Sequence, residues 1–577
     1  MDIYDVHEDL VKTLYKAQKI LGYSKEFNEI VENHGKVNYI ENLLITYQQI
    51  PKLELRFQLR VNKNNDKSLQ FRKEGNQFFS LNSKDYFKAL ELYNKSICFA
   101  EEDSENLSIG YANRSAILFE WKRYRECLEN IQLARDANYP ERLRHKLDER
   151  EKKCLDLLST QTEDAKPYEF QLVSRHHEKV PFIADCLEMR SSDEEGRYIY
   201  TKKDLRPGDL VAIDDPFCTI LLPPVRYIRC ANCTKENYLT LIPCPNCTSA
   251  MFCSKKCLEE GTNSFHQYEC PIIDFLFTLF NKIHLIALRV SLVALSLFGT
   301  VDELREFCNE PCNQNQSAFD LNYQKFSKRE HYRAIHGLVT NQDKRSVSDF
   351  FQRGTIAAVL KRFMIHRTPL KDILHDEDSV NFFTDLLFRH LQTAPSNMHS
   401  ISLIEQKDEA KDDFSFASGA FGFASLLNHS CAPNTVHIYS GTKLLLFVLR
   451  PIPANSVLYD NYGYHYATQP RDVRLKNLEM QYSFRCTCEA CTGDYPLFHN
   501  LGAHPKVPEA VKGRDVYSLM EFDRQFAKDN FKRYAEFLKA YQSYYPCAQI
   551  GATEESFKMA LNILVDAIPL KAKAAKM

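Results

Sequence analysis

Net charge is what this chain most lacks: 74 lysines and arginines stand against 76 aspartates and glutamates, a formal charge of -2. So even a balance gives no global attraction to nucleic acid or to an anionic membrane, and neither is expected as a direct partner. A long apolar run is missing too. The best candidate, 275–298, is interrupted by Asn281, Lys282, His284 and Arg289 and predicts one or two buried helices instead of a membrane span. The first residues, Met1-Asp2-Ile3-Tyr4-Asp5, lack the basic start and apolar core of a secretory signal. The 19 cysteines are therefore expected to be reduced, and the compartment to be cytoplasm, nucleus or both.

What is present is ample material for several cores, 577 residues with 44% hydrophobic content, enough for three or four domains. Residues 1–65 carry apolar groups at helical spacing, among them Leu10, Leu14, Ile20, Ile40, Leu43 and Leu44, and no recognisable chemistry; they are expected to pack against the next part of the chain. Over 66–158 a repeat emerges. Gly75-Asn76 and Tyr86, Ala89, Leu90, Tyr93 are echoed by Ala112-Asn113 and Tyr124, Cys127, Leu128, small residues and aromatics suited to closely paired helices. The pattern resembles tetratricopeptide (TPR) hairpins. Arg72, Asn76, Asn113 and Arg144 occupy positions like those that clamp a peptide carboxylate in such modules, but Asp148 stands at the last basic position, so hydrogen bonding between helices is the expected role of the asparagines.

After a polar linker at 159–167, strands are expected around 197–201 and 209–213, joined through the Pro207-Gly208 turn, within a segment spanning 168–228. Then comes the densest chemistry: Cys230, Cys233, Cys244, Cys247, Cys253, Cys257, His266 and Cys270. Cysteine pairs with two intervening residues direct two sulfurs at one metal, and zinc takes four such ligands in a tetrahedron, so seven thiols and one imidazole make two sites. Residues 271–400 read as helical, with 347–365 the clearest helix; Cys308 and Cys312 there read as ordinary thiols. Strands return at 401–404 and 444–449. Between them an apolar approach, Leu426-Leu427, runs into Asn428-His429-Ser430-Cys431-Ala432-Pro433-Asn434, polar groups that need partners once out of water. Cys486, Cys488 and Cys491 are one ligand short of a third zinc site, and Cys431 can supply it. The region 496–577 is helical in pattern, with Tyr534, Phe537, Leu538 and Tyr541 on one face and a solvated lysine tail at Lys571, Lys573 and Lys576.

The order of these features, a strand-rich segment interrupted by a finger and a helical insert, then Asn-His-Ser-Cys, Tyr462-Gly463 and Cys-x-Cys-x2-Cys, resembles the SET and MYND domain-containing protein-lysine methyltransferases, in their TPR-bearing branch. The resemblance implies an α+β multidomain fold: a split SET β-fold with a pseudoknot (168–228 and 401–485), an inserted MYND finger (230–270), a helical insert (271–400), a post-SET zinc segment (486–495), flanking TPR-like repeats and a C-terminal helical region. It implies that alternate pairs in the finger share a metal: Cys230, Cys233, Cys253 and Cys257 on one zinc, Cys244, Cys247, His266 and Cys270 on the other. With the post-SET site that makes three zinc ions.

The implied activity is methyl transfer from S-adenosylmethionine to lysine side chains of histone or non-histone proteins, with Tyr462 as the catalytic residue. Tyr459, Tyr464 and Tyr466 are candidates for the lysine channel. Cofactor contacts are implied for Gly196, Arg197, Tyr198, Asn397, Asn428, His429, Tyr462 and Phe484. Tyr198 stands where the family has the second glycine of a Gly-x-Gly loop, and its side chain is expected to reshape the cofactor contact there. MYND and TPR regions imply recruitment of proline-rich or C-terminal peptides. The other reading of the same resemblance is a catalytically weak or inactive adaptor that binds peptides through those regions.

Overall fold

The computed structural model describes residues 2–80, 84–161, 168–193, 195–310, 318–320, 327–403 and 414–571. Part of the polar linker, Cys312 and the last lysines of the tail lie outside the described residues. The chain forms two compact units, each discontinuous in sequence: 1–165 with 219–302 and 346–391, and 166–218 with 303–345 and 392–577.

In the first unit the opening helices Ile3–Lys16, Ile20–Glu29, Asn33–Thr46 and Gln49–Arg56 bury Val6, Leu10, Leu14, Phe27, Ile40 and Leu44. The helix they pack on lies far downstream, Val347–Arg367, and is not one of the repeats next to them in sequence. His7 Nδ1 meets Thr355 Oγ1 at 3.1 Å, and Lys361 reaches Asn38 Oδ1 at 2.6 Å. Gly354 sits directly against Ile40, whose side chain a β-carbon would push aside. The stretch 275–298 forms two helices, Ile273–Leu279 and Lys282–Leu297, both largely buried.

Five further helices, Asn65–Phe79, Tyr86–Phe99, Glu105–Glu120, Tyr124–Asp136 and Arg144–Leu157, pack as successive neighbours. Asn76 Oδ1 accepts from Asn113 Nδ2 at 3.0 Å and from the Tyr93 hydroxyl at 2.7 Å, so these asparagines bond between helices. The adjoining side of the stack holds three buried polar residues. Arg114, fully out of solvent, donates to Asn130 Oδ1 at 2.5 Å, Asn94 Oδ1 at 2.7 Å and the Leu241 carbonyl at 2.8 Å. Asn94 donates to the carbonyls of Tyr227 and Tyr238, and Asn130 to that of Leu239. Main chain of the cysteine-rich region is thereby held by side chains of the helices. A second fastening is the buried pair Arg289–Glu269, with both nitrogen–oxygen contacts at 2.5 Å.

The second unit is built on a three-stranded antiparallel sheet, Leu210–Asp214, Lys443–Val448 and Thr435–Ser440, with the middle strand paired to both others. Side chains alternate across it. Ile438, Leu445 and Phe447 face the C-terminal helices Arg524–Tyr541 and Ala548–Leu564, against Phe531, Tyr534, Leu538 and Phe557. Each such side chain contributes about 1.5–3 kcal/mol by leaving water. Asp214, Leu444, Leu446, His437 and Tyr439 project from the other face, since paired residues in register share a side. Two hairpins accompany the sheet, Leu187–Ser192 with Gly196–Thr201, and Met398–Leu403 with Phe414–Ala420.

Replacing Arg114 with Leu leaves Asn94, Asn130 and the Leu241 carbonyl without their partner in a water-free site. It should destabilise the first unit by about 3 kcal/mol in denaturant unfolding. Unaltered unfolding would show that the helices do not hold the cysteine-rich region through this residue.

Candidate active site and metal centres

Two segments of the second unit, 427–435 and 457–466, are laced together. They share only a two-residue parallel ladder, Asn428–His429 against Tyr459–Asp460, extended by Ser430 N–H to the Asp460 carbonyl at 2.9 Å. Pro433 cannot donate a backbone bond, and side chains continue the pairing around it. Asn434 Oδ1 accepts the Tyr459 N–H at 2.8 Å while its Nδ2 donates to the Val457 carbonyl at 2.8 Å. A side-chain amide has the same donor and acceptor as a peptide, so Asn434 acts as a further rung; its own carbonyl meanwhile accepts from Leu449 N and Arg450 N. Asn461 Nδ2 returns a bond to the Ser430 carbonyl at 3.0 Å, and Thr435 Oγ1 one to the Tyr459 carbonyl at 2.8 Å.

This lacing fixes His429 and Tyr462. The Tyr462 N–H donates to His429 Nδ1 at 3.1 Å, which makes Nδ1 the acceptor and leaves the ring proton on Nε2. That nitrogen lies 3.4 Å from Cys431 Sγ. Burial holds the imidazole neutral, pushing its pKa down to about 4. The Tyr462 hydroxyl donates to the Leu427 carbonyl at 2.5 Å. Burial, reinforced by the charge of Asp460, raises the phenol well above its ordinary value, so it keeps its proton. With that proton committed to Leu427, the phenol oxygen has only lone pairs left to offer. Gly463 comes next with φ +95, a left-handed turn with open space around its α-carbon.

A cavity of about 1070 Å³ opens beside these residues, lined by Arg197, Asn397, Asn428, His429, Tyr462 and Phe484 among others. Gly196 and Tyr198 are not in its wall. Along the strand Gly196–Thr201 side chains alternate, so Arg197 and Tyr198 project to opposite faces; the side chain in place of the second glycine is directed away from the cavity. The Asn397 amide is already engaged, donating to the carbonyls of Val339 and Thr393 at 3.1 and 2.8 Å. Of the three channel tyrosines, Tyr459 lines the cavity, Tyr464 donates to Gln481 Oε1 at 2.7 Å, and Tyr466 is a core residue packed on Tyr495 and Tyr545.

Sequence reasoning missed several wall residues. Tyr482 packs 4.7 Å from the Tyr462 ring. Glu195, in the turn between the first hairpin's strands, takes Asn428 Nδ2 on its carbonyl at 2.9 Å and the Tyr459 hydroxyl on Oε1 at 2.8 Å. Asn341 and Lys344 come from the helical insert, where only a polar turn between two apolar helices marks them.

The ligand-capable side chains gather into three groups of four: Cys230, Cys233, Cys253 and Cys257; Cys244, Cys247, His266 and Cys270; and Cys431, Cys486, Cys488 and Cys491. Within each group the ligand atoms lie inside 4.8 Å of one another. Zinc–sulfur bonds of about 2.3 Å in a tetrahedron require sulfurs about 3.8 Å apart. The observed separations are 3.6 Å for Cys233–Cys253, 3.5 Å for Cys253–Cys257, 3.8 Å for Cys244–Cys270 and 3.5 Å for Cys431–Cys491. Four donors at these spacings fit zinc. The third group also receives the Arg474 guanidinium at 3.8 Å from Cys491 Sγ and the Cys431 N–H at 3.3 Å from Cys488 Sγ, outer contacts that neutralise thiolate charge.

The MYND finger family model matches residues 230–270. Protein-lysine N-methyltransferase SMYD4 of Danio rerio is 25% identical over 503 residues, covering 75% of this chain and 66% of that protein. Its Mus musculus namesake is 27% identical over 553 residues, covering 76% and 68%. Histone-lysine N-methyltransferase ASHR1 of Arabidopsis thaliana is 22% identical, covering 54% and 56%. The chain thus spans about two thirds of the length of the SMYD4 relatives. A solved SET domain of LSMT bound to lysine and AdoHcy superimposes with a TM-score of only 0.22 at 11% identity, too slight a likeness to argue from. With its finger matched and these relatives extending over three quarters of its length, the chain is similar to the SET and MYND domain protein-lysine methyltransferases.

Replacing Asn434 with Ala removes both side-chain rungs and leaves the Tyr459 N–H unpaired in a partly buried site. The second unit should lose about 2 kcal/mol in denaturant unfolding; a loss confined to a few tenths would show that the lacing does not depend on this residue.

Proposed function

We propose that the chain is an S-adenosylmethionine-dependent protein-lysine N-methyltransferase whose reaction centre is the cavity beside Tyr462. The observation that carries this reading is the convergence of Arg197, Asn397, Asn428, His429, Tyr462 and Phe484, drawn from distant parts of the sequence, on one cavity. Phe484 offers a flat apolar face for an adenine, and Arg197 a cation for the amino-acid carboxylate. The cofactor supplies an electrophilic methyl group on sulfur. Direct displacement needs a neutral amine held in line with it, and no acid–base pair of the kind a hydrolase uses.

Within that scheme Tyr462 has a defined part. Its oxygen presents lone pairs that accept from the incoming amine or from the polarised methyl C–H groups, while the Leu427 carbonyl keeps the hydroxyl from donating to the amine and blocking its lone pair. Tyr459 and Tyr482 flank the approach and, by excluding water, favour the neutral form of a lysine entering it.

Three zinc ions fit the three clusters, two in the finger and one that ties the cofactor segment to the Cys486–Cys491 tail. The helices over 66–158 serve as TPR-like repeats, and with the finger they recruit protein partners, of which proline-rich peptides suit the finger and C-terminal peptides the repeats. Work in the cytoplasm and nucleus accords with a reduced set of thiols.

Two measurements test this. Isothermal calorimetry should detect S-adenosylmethionine binding, and Tyr462→Phe should cut methyl transfer roughly a hundredfold while leaving that binding nearly unchanged. Absence of binding by wild-type protein would instead favour a non-catalytic adaptor. Separately, Cys431→Ser should lower zinc content by one ion per chain and weaken cofactor binding in the same variant; zinc loss with affinity intact would separate the two roles.

A further inference from the structure

We propose that Asp214 is a positioning residue for Tyr462: by accepting the Phe423 and Ala424 N–H groups, its carboxylate fixes the turn whose outgoing carbonyl, that of Leu427, holds the Tyr462 hydroxyl. This rests on the reading of Tyr462 as catalytic. Asp214 ends the strand Leu210–Asp214 and is 1% exposed. Its Oδ2 takes the Phe423 N–H at 3.1 Å and the Ala424 N–H at 2.9 Å. Those two groups open the short 3₁₀ turn Ala424–Leu426, within which Leu426 N bonds to Phe423 O at 2.9 Å and Leu427 N to Ala424 O at 3.2 Å. The turn also carries Ser425, whose hydroxyl donates to the Asn397 carbonyl at 2.8 Å. Its exit is Leu427, whose carbonyl receives the Tyr462 hydroxyl. One buried carboxylate thus sets the orientation of the acceptor that decides where the phenol oxygen points.

A neutral residue could cap the same turn, so the charge calls for explanation. Burial outweighs both N–H bonds and pushes the Asp214 carboxyl up to about 7. The groups facing it are few. On its own strand's continuation Asp215 raises it further but is paired with Lys443 at 3.3 Å. From the paired strands comes Tyr439, protonated through burial and aligned with Asp214 across Leu444. From helix Lys328–His336 comes His331, near Gly422, which burial pushes down to about 4 so that it is neutral here. His437, on the same face, is engaged with the Asp460 carboxylate, its Nδ1 2.8 Å from Oδ2; Asp214 is the carboxyl on that face that burial brings to neutrality. Above that pH both N–H groups meet a carboxylate. Below it, the proton settles on Oδ1, since Oδ2 accepts both N–H groups; Oδ2 becomes a neutral carbonyl-type acceptor, the cap weakens with the loss of charge, and the geometry at Tyr462 loosens as pH falls.

The direct test needs no substrate. With tyrosine labelled at ¹³Cζ and the Tyr462 signal assigned through Tyr462→Phe, the wild-type signal should shift as pH crosses about 7. In Asp214→Asn it should be displaced and flat over that range; Asp214→Ser, which keeps an oxygen acceptor without the titration, serves if the asparagine variant fails to fold. A Tyr462 signal indifferent to pH and to both substitutions would overturn the proposal. Kinetics with labelled S-adenosylmethionine on an immobilised lysine-peptide array provide a second arm. Asp214→Asn should lower transfer roughly tenfold, the scale of one lost charge-assisted hydrogen bond, and should lower it little further when added to Tyr462→Phe. Additive losses would show that Asp214 acts independently of Tyr462. Wild-type transfer in Tyr462→Phe would remove the catalytic reading of Tyr462, while the NMR arm would still decide whether Asp214 positions it.

Discussion

The second unit depends on polar groups of two short segments satisfying one another. Regular sheet pairing covers only Asn428–His429 and Tyr459–Asp460; beyond it, backbone bonds from Ser430 N–H to the Asp460 carbonyl and from Tyr466 N–H to the Cys431 carbonyl are joined by side chains, with Asn434, Asn461, Thr435 and the ring of His429 each meeting main chain of the opposite segment. Such a network is favourable when complete and costly when partial, because each member left alone is a buried unpaired polar group. That gives these residue types a reason to be where they are. It also explains how a tyrosine can be held to a single hydroxyl direction by an irregular segment beside a left-handed glycine.

The cysteine clusters extend the same constraint. His429 joins the lacing to the sulfur side: its Nδ1 receives Tyr462 and its Nε2–H is directed at Cys431. The Cys431 cluster, the segment 427–435 and Tyr462 are therefore successive contacts, not separate features on one scaffold. In the first unit the finger has no large core of its own, and metal binding supplies much of its folding energy. Its main chain is held in addition by Asn94, Arg114 and Asn130, neutral amides and one desolvated guanidinium that exchange bonds with carbonyls. Both units use buried polar side chains to pin segments too irregular to pair by themselves.

Local chemistry was legible in the sequence and long-range placement was not. Cysteine spacing announced the metal groups because ligand geometry is short-range and periodic, and the count of ligands alone suggested that Cys431 joins the tail. The helix Val347–Arg367 was readable from its apolar face. The partner of the opening helices was not, because apolar periodicity says which face is buried and nothing about what covers it; here the cover is that distant helix, through contacts such as His7 with Thr355 and Asn38 with Lys361. Glu195, Asn341 and Lys344 escaped for a similar reason, as polar residues in turns that only the fold brings to the cavity. Tyr198 shows the complementary limit: the resemblance marks its position but not its direction, and strand alternation turns its side chain away and leaves Arg197 to face the cavity.

The central claim is that 427–435 and 457–466 form one cofactor-binding element. Hydrogen–deuterium exchange of the zinc-loaded protein with and without S-adenosylmethionine tests it most directly. Exchange should slow in both segments together on cofactor addition, and in Asn434→Ala both should exchange faster and lose that protection together. Protection of one segment without the other, or of neither, would contradict the account.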